Sequence, residues 1–174
     1  AFVRDIDDAR DRFLASTLWY KKSQLLTYDE GNDDINSFEL PRFSPLEVVD
    51  ISAAWYSDSP VRFVMRSEDG RVGFVDLNLS GTNVSKSQRN YDRFEDTFFS
   101  EDPRVTFSWS DATWNAILER KVFVGMTREQ AELSWGEPSD INRTTTGRSS
   151  HEQWVYNSGS YLYFEDGVLS SVKN

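Results

Sequence analysis

The sequence has no cysteine, a single histidine among 174 residues, and fewer basic than acidic side chains. Without cysteine the chain can form no disulfide, no thiolate nucleophile and no thiolate metal site. The 19 Lys and Arg against 29 Asp and Glu give a net charge of −10. Because phosphate groups would be repelled by this charge, we expect no nucleic acid and no anionic membrane among its partners.

Long apolar runs are also missing. None approaches the about 18 residues that a membrane-spanning helix needs, so no transmembrane span is predicted. The chain begins with Ala1 rather than Met and carries no signal peptide. We interpret Ala1 as a processing boundary from which an export signal has been removed, and whether a lipid anchor was lost with it is left open.

Patterns that carry catalysis are scarce. As a triad base, His151 would need a serine and an aspartate beside it, yet no nucleophile-elbow motif is present. Zinc binding by His151 and carboxylates is equally unsupported, and a surface or edge histidine is expected instead. We therefore predict no enzyme activity, no metal and no cofactor. The alternative is an enzyme of unrecognised type, such as a carboxylate-dependent hydrolase, since 29 acidic residues always allow some close pair.

The acidic stretch Asp29–Asp34 is the one place where calcium could be considered. Its spacing does not match an EF-hand loop, whose ligands recur at alternate positions and end in a bidentate glutamate. A solvated acidic loop is the prediction, and cation binding there is left open.

Aromatic residues are abundant, at 14% of the chain, and supply material for a core. The charged residues 1–20 allow a short amphipathic helix or a partly ordered lead-in, and a solvated segment is preferred. Beyond them, Val61, Phe63 and Met65 alternate with polar residues, and a turn leads to a return strand at 72–79. Short strands and tight turns favour a small antiparallel barrel at about 20–80.

The second half shows helix boundaries. Ser110 is placed to cap one helix, and Thr127 with Gln130 forms the capping box of another, which Gly136 and Pro138 end. An antiparallel meander should follow, with Asp166-Gly167 as a type I′ turn. Five side chains are predicted to share its core: Trp114, Leu133, Trp135, Trp154 and Phe164.

Several motifs of this half occur together: Gly125-Met126-Thr127-x-Glu129, Trp135-Gly136-x-Pro138, Glu152-Gln153-Trp154-Val155-Tyr156, and Tyr163-Phe164-x-x-Gly167-x-Leu169. In combination they resemble the SmpA/OmlA (BamE-like) domains, bacterial envelope modules with two helices on an antiparallel sheet, similar to the repeats of β-lactamase inhibitor protein. The resemblance covers about residues 110–174. It implies a fold and no ligand contacts, because the matching positions are turn and core residues. The first half resembles a bacterial SH3-like barrel.

The expected architecture is therefore α+β. A small antiparallel SH3-like β-barrel with its lead-in should occupy 1–105, and a BamE-like helix–helix–antiparallel meander unit should occupy 106–174. The resemblance implies a non-enzymatic envelope interaction or scaffold module, periplasmic or surface-exposed, which binds another envelope protein or a cell-wall component.

For the partner site, Trp55 and Tyr56 stand out because they lie where a strand meets a loop. SH3-like barrels commonly use such loop aromatics, since a flat ring with a polar tip grips a peptide or sugar at low entropic cost. Alternation should bury at least one of the two rings. The hypothesis is that the other ring, together with Asp58, borders a shallow binding site.

Overall fold

The computed structural model describes residues 2–55, 59–79, 93–147 and 149–174. The chain divides into two compact units, Ala1–Phe107 and Ser108–Asn174. In the ranges described, no helix is long and apolar enough to cross a membrane.

The first unit is built on one antiparallel sheet, with its strands in the order β3-β2-β6-β5-β4-β1-β7. Along the chain its elements are α1 (Phe2–Phe13), β1 (Thr17–Tyr20), β2 (Gln24–Asp29), β3 (Asp34–Glu39), β4 (Ser44–Ala53), β5 (Val61–Ser67), β6 (Val72–Leu77), α2 (Phe94–Thr97), β7 (Phe98–Phe99) and α3 (Pro103–Thr106). Strands β5 and β6 form the hairpin that the alternation around Phe63 and the turn at 67–70 predict, and β4 pairs with β5 to extend it to a meander.

Helix α1 covers the core face of this sheet. Ala9 and Phe13 are four residues apart, so they share one side of the helix, and both are buried. The Phe13 ring lies 4.6 Å from that of Phe94 and 5.8 Å from that of Phe63, between ring centroids. The preferred expectation of a solvated lead-in is therefore wrong. The amphipathic helix is correct, because its apolar side closes the core.

The predicted SH3-like barrel is also wrong. The described part of the unit contains an open seven-stranded sheet, whose edge strands β3 and β7 each pair with one neighbour. The hairpin β2–β3 explains the difference. The acidic stretch forms its turn, so that β3 lengthens the sheet at one edge, and α1 covers the face that a barrel would close on itself.

The second unit carries a four-stranded antiparallel sheet in the order β11-β10-β9-β8. Its elements are α4 (Asp111–Leu118), α5 (Arg128–Trp135), β8 (Asp140–Thr146), β9 (Ser149–Val155), β10 (Tyr161–Glu165) and β11 (Val168–Lys173). Three local predictions are confirmed. Ser110 caps α4, Thr127 and Gln130 form a capping box at α5, and Asp166 and Gly167 both have positive φ, as a type I′ turn requires.

The predicted α+β class, with a BamE-like helix–helix–antiparallel meander unit, is wrong. The described chain is mostly β, and α4 and α5 are only two turns each. Trp114, Trp154 and Phe164 are buried as predicted, whereas Leu133 and Trp135 are half-buried. The reason lies in α5, whose fully buried positions are the small residues Ala131 and Ser134. Its large side chains are thereby placed at the flanks of the helix.

Candidate functional site

The face of the first sheet that points away from its core carries an aromatic and cationic cluster. Side chains alternate between the two faces along a strand, so buried Leu25 is followed in β2 by exposed Leu26 and Tyr28 on the outer face. Leu26 lies opposite Phe74 of β6, and Arg62 of β5 lies opposite Asp76. Residues from three strands therefore meet on this face.

Arg62 is the centre of the cluster and is only 8% exposed. Its Nε and Nη2 donate to the two carboxylate oxygens of Asp76, both at 2.7 Å. The guanidinium carbon lies 4.0 Å from the ring centroid of Trp55 and 3.7 Å from that of Phe74. The planar cation therefore uses its edge for the carboxylate and its faces for aromatic rings, which fixes its position.

Trp55 follows β4 and is 55% exposed. Its ring meets Tyr28 edge-on, with centroids 4.8 Å apart and planes at 68°. We call Trp55, Tyr28, Phe74 and Arg62 the Trp55 surface. It presents two exposed rings on a buried support, so the rings are held in place before any partner arrives.

The acidic hairpin turn borders this surface. The Tyr28 hydroxyl donates to the carboxylate of Asp33, while Asp29 accepts from the backbone N–H of Gly31 at 2.9 Å and from Asn32 Nδ2 at 2.7 Å. The hydrogen bond to Asp33, with partial burial and the nearby carboxylates, raises the pKa of Tyr28. No group of three or more metal-ligating side chains occurs in the described portion of the chain.

The predicted site residues are placed only in part. Trp55 lies at a strand-to-loop boundary, as the sequence predicts, and it is the exposed ring of the pair that the structure describes. Tyr56 and Asp58 lie outside the described residues, so the burial of one ring and the part of Asp58 stay predictions. Sequence reasoning missed Arg62, Phe74 and Tyr28. The signal was present in the hairpin register, because the turn at 67–70 pairs the strands so that Arg62 faces Asp76.

A second feature is a shallow cavity of about 230 Å³ on the outer face of the second sheet. Its polar lining includes Asn142, Thr144, His151, Gln153, Tyr163 and Glu165. His151 is exposed, lies in the interior strand β9, and faces Thr144 and Glu165 on the neighbouring strands. The lone histidine is thus a surface residue, as expected, but it is not at a sheet edge.

Glu152 also borders the cavity, yet its side chain belongs to the opposite, helix-covered face. Arg128 of α5 binds it through Nη2 at 2.9 Å and Nε at 3.0 Å, Arg143 Nε lies at 3.2 Å, and Trp154 Nε1 donates at 3.1 Å. Burial raises the pKa of Glu152, but the Trp154 hydrogen bond and the two arginines prevail and lower it. Glu152 is therefore held ionised and is not arranged as a general acid.

Comparison of the chain with protein-family models, with curated proteins and with solved structures gives no match. The resemblance of residues 110–174 to SmpA/OmlA domains accordingly stays a prediction from motifs.

Proposed function

We propose that this chain is a non-enzymatic interaction module of the bacterial cell envelope. It binds another envelope protein or a cell-wall component through the Trp55 surface. The observation that carries this proposal is the exposed Trp55 ring, held over a buried arginine and against Tyr28. The envelope location is supported by the motif resemblance alone.

A preorganised aromatic surface suits binding rather than packing. Tryptophan and tyrosine dominate binding energy at many interfaces, because they bury much area at little cost in conformational entropy. Here the cost is reduced further, since Arg62 and Asp76 fix the support before binding.

The charge around the surface indicates the chemistry of the partner. Asp29, Glu30 and Asp33 lie close enough to Tyr28 to affect its pKa, and the chain as a whole carries a net charge of −10. A partner segment with lysine or arginine beside an apolar side chain would complement both the rings and the carboxylates. Binding should therefore weaken as salt is raised.

The experiment uses the full chain as immobilised bait for envelope extracts and for isolated peptidoglycan. Trp55→Ala is compared with wild type and with Phe123→Ala, which removes an exposed ring from the second unit. We expect Trp55→Ala to lower retention of the captured partner about tenfold or more, while Phe123→Ala retains it. Equal retention by all three folded proteins would contradict the proposal. Hydrolysis of a captured polymer by the wild-type chain would also contradict it, because that result favours the alternative of a carboxylate-dependent hydrolase.

A further inference from the structure

The cavity on the outer face of the second sheet contains a row of side chains joined by hydrogen bonds. Asn142 Nδ2 donates to Gln153 Oε1 at 3.2 Å, and Gln153 Nε2 donates to the Tyr163 hydroxyl at 3.0 Å. The three residues lie directly across from one another on β8, β9 and β10. The strand register therefore fixes the row, and both hydrogen bonds are donated in the same direction, from Asn142 towards Tyr163.

This direction determines what the row offers to a ligand. At one end Asn142 keeps its side-chain carbonyl as an acceptor. At the other end the Tyr163 hydroxyl, which already accepts from Gln153, keeps its own proton for donation. A bound group would thus meet an acceptor and a donor on one flat face, in an arrangement that a pair of sugar hydroxyls can match.

A second row lies beside the first. Thr144, His151 and Glu165 face one another across the same three strands and add hydroxyl, imidazole and carboxylate groups. Tyr161, two residues before Tyr163 in β10, lies on the same face but does not line the cavity, and the Lys173 ammonium lies 6.0 Å from its ring centroid.

Size and charge narrow the ligand class. The volume of the cavity is about 230 Å³, whereas pockets for drug-sized molecules typically have about 300–1,000 Å³. The cavity is also open to solvent. An anion would meet the Glu165 carboxylate and the net charge of −10. The polar groups are mostly neutral donors and acceptors, which favours a small, neutral, hydroxyl-rich ligand.

We propose that this face binds a neutral saccharide unit, held by the row Asn142–Gln153–Tyr163. The site belongs to the second unit and is independent of the Trp55 surface, so it adds a second binding activity to the proposed function.

The test titrates the full chain with two probes, a β-1,4-linked tetramer of N-acetylglucosamine and cellotetraose, by calorimetry and by NMR. We expect saturable binding of at least one probe, with shifted resonances at the two polar rows. Tyr163→Phe removes one hydroxyl and keeps the ring, so it should weaken binding about three- to tenfold.

Two matched variants complete the test. Tyr161→Phe removes a hydroxyl outside the row and should bind as wild type does. Asn142→Ala, on the exposed edge strand β8, should weaken binding as Tyr163→Phe does, and it serves if Tyr163→Phe loses its fold. The proposal is overturned if neither probe binds at millimolar concentration, or if the Tyr163 and Asn142 variants bind like wild type. Trp55→Ala should leave saccharide binding unchanged, which separates this site from the proposed function.

Discussion

Among the described residues, the first unit encloses an ion pair, Arg62 with Asp76, whereas the second encloses one carboxylate, Glu152, whose arginine partners are exposed. In the first unit the pair Arg62–Asp76 is enclosed on both sides, with side chains 9% and 11% exposed. In the second unit Glu152 is enclosed, but its partners Arg128 and Arg143 are 39% and 66% exposed. The first pair is largely shielded from water, whereas the arginines of the second are exposed and can turn outward when the carboxylate is removed.

The buried charged groups also lie on different faces of the two sheets. The buried cation lies on the outer face of the first sheet, where it supports exposed rings. The buried anion lies on the helix-covered face of the second sheet and ties α5 to β9. That arrangement leaves the opposite face of the second sheet for the polar rows.

The largest expected effect tests whether the Arg62–Asp76 pair is shielded from water to the extent that its low exposure indicates. Arg62→Met would leave the Asp76 carboxylate buried without its partner and should cost about 3–5 kcal/mol of unfolding free energy. Arg66→Met is the control, because the Arg66–Glu47 pair is about half exposed and should be worth about 1 kcal/mol or less. Urea unfolding measures both. Similar small losses in the two variants would show that the Arg62 pair is not closed.

A smaller effect is expected at the Asp166-Gly167 turn, which lies beside the Arg128–Glu152 ion pair. Gly167 has φ +88°, and a Cβ there would lie 2.9 Å from Arg128 Nη1. Gly167→Val should therefore cost about 1–3 kcal/mol, from backbone strain and from displacement of the arginine. Gly167→Asn should cost less, since asparagine tolerates the left-handed region. If valine and asparagine shift the thermal midpoint equally, strain at this turn does not decide stability.

Glu152→Gln tests what the Glu152 carboxylate contributes to stability, because the substitution removes the charge and keeps the shape of the side chain. We expect a loss of about 1–3 kcal/mol at neutral pH, less than for Arg62→Met, since the arginines can be solvated.

The pH dependence of that variant has a definite sign. The pKa of Glu152 is lowered in the folded state, so its stabilising effect is complete above the ordinary glutamate value of about 4.3 and is lost as the pH falls through the lower folded value. Wild type should lose stability on this acid side, and Glu152→Gln should lose less. The free energy of unfolding of both proteins is measured with urea from neutral pH to about pH 3. If it changes with pH in the same way in both, the lowered pKa of Glu152 is contradicted.

The smallest expected effect on stability separates binding from folding in the first unit. Trp55→Ala removes one of the two rings stacked on Arg62 and should cost about 0.5–2 kcal/mol, because Phe74 and Asp76 still hold the guanidinium. A loss as large as that of Arg62→Met would mean that Trp55 is part of the structural core. Its use as a binding ring would then be in doubt.

Some of the candidate site was within reach of the sequence. The position of Trp55 and Tyr56 after an apolar strand run predicts that one ring of the pair borders a binding site, without deciding which, and the hairpin around 67–70 places Arg62 opposite Asp76. The approach of Trp55 and Tyr28 to that pair was out of reach, because β2 joins β6 across a long stretch of chain. Half-burial of Trp135 was equally hidden, since the helix pattern alone does not show which side of α5 meets the sheet.

The sequence by itself determined the local features of this protein: the caps at Ser110 and Thr127, the type I′ turn at Asp166-Gly167, and the antiparallel pairing of β5 with β6. These depend on hydrogen bonds and φ angles between residues close in the chain, so their pattern is written locally. Only the tertiary structure decided that the first sheet stays open and that α1 covers it. Those outcomes depend on pairings between distant strands and on burial of one helix side, where each contact gains its value from the others.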